Sequence, residues 1–191
     1  MDFSSPWKWT EGFWILFGLY WVLSALRVKK TKRRETWLER TRYMLPLIAA
    51  FFLLSRHESH YGWLGTRFVP ELPAADWMGV FLTAAGVAIA IWARWHLGSN
   101  WSGVVTLKEG HELIRTGPYR AIRHPIYTGI LLALLGTAVS IGEVRALVAV
   151  AIVWLSFYQK ARREESFLSE EFGTSFVEHC KHTGMFLPHL S

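Results

Sequence analysis

Residues 126–159 read IYTGILLALLGTAVSIGEVRALVAVAIVWLSFYQ, two apolar segments separated only by Gly142-Glu143. The first carries no charged residue, and the second carries only Arg145. A helix crossing a hydrocarbon core about 30 Å thick needs roughly 20 apolar residues. Each segment is short for that task, so a tight antiparallel hairpin is expected, accommodated by tilt or local thinning of the bilayer. One such segment alone would also suit the buried helix of a soluble protein.

Three more segments argue against a soluble protein. Trp77–Trp95 (WMGVFLTAAGVAIAIWARW) has only Arg94, Thr10–Leu26 has only Glu11 at its start, and Tyr43–Ser55 has no charge. None shows the polar stripe of a surface helix, and a chain of 191 residues cannot bury five helices on every side. The expected fold is therefore all-α: a polytopic integral membrane protein with five transmembrane helices, the last two forming the hairpin. Residues 1–95 would form a three-helix scaffold. Residues 96–191 would hold a polar loop, the hairpin and a helical tail. Pro46 should kink the second helix, which a membrane helix tolerates when neighbours satisfy the freed carbonyl. Trp7, Trp9, Trp77, Trp92, Trp95 and Trp154 fall near segment ends, as interfacial belts require.

Composition narrows the function classes. With 51% hydrophobic and 15% aromatic residues the chain is not disordered, and its one cysteine, Cys180, excludes a disulfide framework. The net charge of +6 would suit nucleic acid or an anionic membrane surface, and its distribution chooses the membrane. Sixteen of the 21 basic residues fall in three regions that five crossings place on one side: 27–42, 96–125 and the tail after Tyr158. The positive-inside rule puts that side, with the C-terminus, in the cytoplasm and the N-terminus outside. The eight basic residues of 27–42 suit anionic lipid headgroups. No cleavable signal peptide is expected, because the first apolar run lacks a basic n-region.

Chemistry is expected in the two polar regions. The stretch 97–127 is far longer than an ordinary connection. Gly117-Pro118-Tyr119 reads as a turn, and Pro125 suits a first helical turn, leaving His124 at the helix mouth beside unpaired N–H groups. In the tail, Glu164 and Glu165 are acids beside the last membrane turn, costly unless paired or solvated. Lys160 lies one turn before Glu164, on the same helical face. His57-x-x-His60 and His179-x-x-His182 lack a converging third ligand set, so no metal is expected. Glycine-rich nucleotide loops and a G-x-S-x-G nucleophile are absent from the sequence.

The run His111-Glu-Leu-Ile-Arg-Thr-Gly-Pro-Tyr119-Arg-Ala-Ile-Arg123-His124-Pro125-Ile-Tyr127-Thr-Gly129 resembles the signature of isoprenylcysteine carboxyl methyltransferases and their prokaryotic relatives. The tail Arg163-Glu164-Glu165-x-x-Leu168-x-x-x-Phe172-Gly173, then Thr183-x-x-Phe186-x-Pro188, is similar to that family's ending. The resemblance implies an integral membrane methyltransferase using S-adenosylmethionine, with a lipophilic or lipidated acceptor. By position it implies that His111, Glu112, Leu113, Ile114, Tyr119, His124, Pro125, Ile126, Tyr127 and Glu164 bind the cofactor. Lys160 stands where the eukaryotic enzymes place an arginine near the substrate, keeping the charge and losing the planar fork. No residue is assigned as a base. The acceptor atom stays open between a prenylcysteine-type carboxylate, a lipid amine and a thiol. A sterol reductase-like enzyme using NADPH and a non-enzymatic transporter or scaffold are the competing readings.

Overall fold

The computed structural model describes residues 5–26, 31–34, 36–55, 62–101, 106–108 and 112–189. His111 and the pair His57 and His60 lie outside the described residues. The protein is helical, as expected: α1 (Pro6–Ala25), α2 (Trp37–Leu54), α3 (Pro73–Leu97), α4 (Pro125–Ile141), α5 (Val144–Phe172) and α6 (Thr174–Lys181). One feature departs from a purely helical reading. Thr31–Arg34 (β1) and Thr106–Lys108 (β2) pair as an antiparallel two-strand ribbon, which joins the α1–α2 connection to the α3–α4 connection.

Local signals explain the helix starts. Thr36 and Glu39 form a reciprocal capping box at the start of α2. Pro73 and Pro125 open α3 and α4 at positions where a missing N–H costs nothing. Pro46 lies inside α2, and the helix continues through it to Leu54. α5 is one continuous helix whose first half is apolar and whose second half carries Lys160, Glu164 and Glu165. It ends at Gly173, whose φ of +51° favours glycine.

Three arginines satisfy helix C-termini, where the last carbonyls have no partner in the helix. Arg94 donates to Ser24 O at the end of α1 (2.6 Å) and to Gly98 O after α3 (2.7 Å). Arg145 donates to Leu53 O and Ser55 O at the end of α2, and Arg67 to Ile141 O at the end of α4.

The helices pack in the order α1, α3, α4, α5, α2. α4 and α5 follow each other across Gly142-Glu143, but the main partner of α4 is α3 and that of α5 is α2. Small residues cause the first of these. Gly79 and Gly86 on α3 face Gly136 and Gly129 on α4, and a Cβ at Gly86 would lie 2.3 Å from Ala133 N. Backbones that approach this closely suit helix pairs in lipid, where small residues replace the hydrophobic drive. Thr83 Oγ donates within this seam, to Gly79 O (2.9 Å) and Ala133 O (3.2 Å).

Two stretches, Pro73–Asn100 and Val144–Phe172, are long and apolar enough to cross a membrane; α4 is apolar and shorter. Large apolar side chains such as Leu19, Val22, Leu23, Phe51, Phe52 and Phe81 stand exposed on α1, α2 and α3, as lipid-facing surfaces do.

Candidate active site

The polar centre is built where three pieces of chain meet: the segment before α4, the second half of α5 and the tail after α6. Backbone pairing holds the first to the third. Arg123 N donates to Gly184 O (2.9 Å), His124 N to Met185 O (3.0 Å) and Gly184 N to Ala121 O (3.2 Å). Thr128 Oγ adds a bond to Phe186 O (2.7 Å). The main-chain amide of His124, which stood at the helix mouth in the sequence reading, is therefore taken by the tail.

The side chains form one continuous chain of partners. Arg123 Nε donates to Glu165 Oε1 at 2.7 Å, and its guanidinium also donates to Thr183 O. His124 sits between the two acids, Nε2 3.2 Å from Glu165 Oε1 and Nδ1 3.4 Å from Glu164 Oε2. The Tyr127 hydroxyl donates to Glu164 Oε1 at 2.7 Å. The His124 and Tyr127 rings are stacked at 5.5 Å with 7° between their planes, and Tyr127 stacks on Phe157 at 4.6 Å. The Lys160 ammonium lies 5.4 Å from the centroids of both Tyr127 and Tyr43, a cation–π arrangement.

Exposure separates the two acids. The Glu164 side chain keeps 23% of its surface and that of Glu165 only 12%, while the His124 side chain keeps 6%. Each Glu164 oxygen faces one partner and has a lone pair to spare. Glu165 Oε1 is shared between Arg123 and His124.

Burial alone would push the His124 imidazolium down. Hydrogen bonds to Glu164 and Glu165, with their charges, outweigh it and hold the pKa above the ordinary histidine value. Burial, with the nearby Glu164 charge, pushes the Tyr119 hydroxyl up and keeps it a neutral phenol. A histidine pKa raised by folding contributes stability that is fully present below about pH 6.5. That contribution is lost as pH rises through the folded value. The thermal midpoint in detergent is therefore expected to fall from pH 6.5 into the alkaline range. His124→Gln should flatten this dependence, and a wild-type midpoint that rises over the same range would contradict it.

The sequence-predicted residues divide as follows. His124, Tyr127 and Glu164 meet directly, with Lys160 beside them. Tyr119, Pro125 and Ile126 are buried, and Ile114 packs against the cluster holding Tyr119 and Tyr127. Leu113 is half-buried and Glu112 is exposed. Arg123 and Glu165, singled out as polar groups and not assigned a ligand, complete the chain of partners. Tyr43, at 2% exposure, reaches the centre from α2. Nothing in its own segment distinguishes it from a core tyrosine. Among the described residues no group of three or more His, Cys, Asp or Glu side chains could hold a metal ion.

An apolar helical chain with this His–Glu centre matches a family of methyltransferases. The model of the phospholipid methyltransferase family matches residues 74–175, more than half of the chain, and the chain belongs to that family. It is similar to a probable protein-S-isoprenylcysteine O-methyltransferase of rice (Oryza sativa subsp. japonica), 30% identical over 95% of this chain and 96% of the rice one. The protein-S-isoprenylcysteine O-methyltransferase of Homo sapiens is 30% identical over 64% of this chain and 45% of its own. The cobalt-zinc-cadmium resistance protein CzcN of Cupriavidus metallidurans is 27% identical over 76% of this chain and 62% of its own. The chain thus spans about half to two thirds of the bacterial and human relatives. The two membrane-length helices and the family together define an integral membrane protein.

Proposed function

We propose that this protein transfers a methyl group from S-adenosylmethionine to the carboxylate of a lipophilic, prenylcysteine-type acceptor at the cytoplasmic membrane surface. The observation that carries this reading is the centre of His124, Glu164 and Tyr127, in which the Glu164 side chain keeps 23% of its surface against 12% for Glu165. The donor is a sulfonium with an ammonium group and two ribose hydroxyls, and it supplies an electrophilic methyl carbon when bound. Glu164 fits such a group: a carboxylate with spare lone pairs, aligned by Tyr127 and His124, accepts from an ammonium or a hydroxyl. The flat faces of Tyr127 and Phe186 border the same centre.

The nature of the acceptor follows from protonation. Both imidazole nitrogens of His124 face carboxylates, and the Tyr127 hydroxyl is engaged with Glu164. A carboxylate acceptor is already a nucleophile and needs no proton removed. An amine or thiol acceptor would have to lose a proton, and both nitrogens of His124 are already committed to carboxylates. Lys160, buried and cationic between Tyr43 and Tyr127, supplies a charge for the acceptor carboxylate. The remaining task is positioning and exclusion of water, which accounts for large rate gains without covalent catalysis. The names of the rice and human relatives support the same acceptor class.

The membrane arrangement belongs to this proposal: five crossings, α4 and α5 as the closing hairpin, N-terminus outside, and both polar regions cytoplasmic. The β1–β2 ribbon supports it by holding two of the basic connections at one end of the helices. The functional division at residues 95/96 falls in the last turn of α3, and Tyr43 shows that the first part also reaches the centre. Family membership displaces the NADPH reductase and the transporter or scaffold readings.

Methyl-labelled S-adenosylmethionine offered with N-acetyl-S-farnesylcysteine, phosphatidylethanolamine or farnesyl thiol tests the acceptor. Label is expected on the farnesylcysteine, released as methanol by alkali because it is an ester. Alkali-stable label on the amine or thiol alone would contradict the carboxylate assignment.

A further inference from the structure

Neutral imidazole carries one N–H and one acceptor nitrogen. In His124 both nitrogens face a carboxylate oxygen, Nδ1 towards Glu164 (3.4 Å) and Nε2 towards Glu165 (3.2 Å). Only the imidazolium donates to both, so a neutral ring would set a nitrogen lone pair against a carboxylate. Glu165 thereby decides two things about its neighbour: which way the ring faces and whether it keeps its second proton.

We propose that Glu165 is a positioning residue for the methyl donor: it never touches the donor, and it acts through His124 to hold the Glu164 carboxylate in its binding geometry. Arg123 is the counterweight. It shares Glu165 Oε1 with His124, and it ties that oxygen to the tail through Thr183 O. Glu165 thus lies behind the imidazole, on the side of the tail, and Glu164 lies in front of it with the larger exposure. The adjacent acids of α5 are divided into one that meets the ligand and one that orients.

The other groups around His124 do not replace this arrangement. From α5, Lys160 lies beside Glu164; from α4, the Tyr127 hydroxyl is committed to Glu164, and in the preceding turn Tyr119 is a neutral phenol; from α2, Tyr43 packs on Lys160. From α6, Cys180 and His179 lie near Arg123. Glu164 and Glu165 are the acids whose hydrogen bonds and charges hold the His124 proton.

This inference rests on the proposed donor only for its binding arm; its titration arm needs no donor. Glu165→Gln is isosteric and removes the charge behind the imidazole. In donor-free protein, the His124 titration followed by NMR is expected to fall by about one unit, which is about tenfold in the protonation constant. S-adenosylmethionine binding by calorimetry should be nearly unchanged at pH 6 and about tenfold weaker at pH 8. Arg123→Gln removes the competing cation and should move the His124 titration the opposite way. Opposite signs are what a merely structural pair would not produce. An unshifted titration in both variants, or donor binding weakened equally at every pH, would overturn the proposal. So would failure of both variants to fold, which would assign Glu165 to the scaffold. If wild-type protein binds no donor at any pH while both titration shifts appear, the donor assignment fails and the coupling stands.

Discussion

Glu164→Gln is expected to weaken S-adenosylmethionine binding by roughly 30- to 150-fold, corresponding to about 2–3 kcal/mol for a charge-assisted hydrogen bond. The glutamine has the same shape, and its carbonyl oxygen can still accept from the Tyr127 hydroxyl, which lies 2.7 Å from Glu164 in the native centre. What disappears is the negative charge facing His124 and available to the donor's ammonium or ribose. The thermal midpoint in detergent should move little beside this change, because Glu165 still pairs with both Arg123 and His124. His124→Ala is a harsher change: it removes a cation from between two partly buried carboxylates and should lose both binding and stability. Calorimetry and thermal unfolding on the same preparations separate the two effects. A Glu164→Gln variant that binds as wild type would remove Glu164 from the site.

Gly86→Leu is expected to prevent assembly of the helices. A Cβ at Gly86 would sit 2.3 Å from Ala133 N and 2.4 Å from Gly129 O, both backbone atoms that no rotamer change can move. Relief requires α3 and α4 to separate, which breaks the seam at Gly79, Thr83, Gly129 and Gly136 together. Overpacking of a well-fitted core costs about 1–3 kcal/mol and occasionally more; a backbone clash in the most extensive helix interface among the described residues belongs at or above that upper end. The control is Gly18→Leu on α1, where nothing lies within 4 Å of the added Cβ. Size-exclusion chromatography after detergent extraction should show a monodisperse peak for Gly18→Leu and aggregate for Gly86→Leu. Equal recovery of the two would show that α3 and α4 do not pack as described.

The parts legible in the sequence were those that short-range pattern encodes. Charge-free runs marked the helices, Pro125 marked the start of α4, and the Arg123-His124-Pro125 and Glu164-Glu165 motifs marked the centre, which the fold brings within hydrogen-bonding distance across about forty residues. Partner choice was less legible. Gly142-Glu143 suggested a hairpin of α4 and α5 and said nothing of their other neighbours, whereas the glycines at 79, 86, 129 and 136 draw α4 onto α3. That signal was present as a seven-residue spacing of small residues in both segments. Tyr43 carried none, because its place beside Lys160 depends on how α2 is laid along α5. The tail was read as a motif, but its parallel pairing to residues 121–124 is made by main-chain atoms, which side-chain identity does not encode. The arginines that cap α1, α2 and α4 were read only as charges, and their structural role appears once the helix ends are placed.

Isothermal titration of S-adenosylmethionine into the detergent-purified, folded protein tests the central claim most directly. Saturable binding that Glu164→Gln and His124→Ala abolish or weaken severely is the predicted result. Absence of binding to wild-type protein with a cooperative thermal transition would contradict the account.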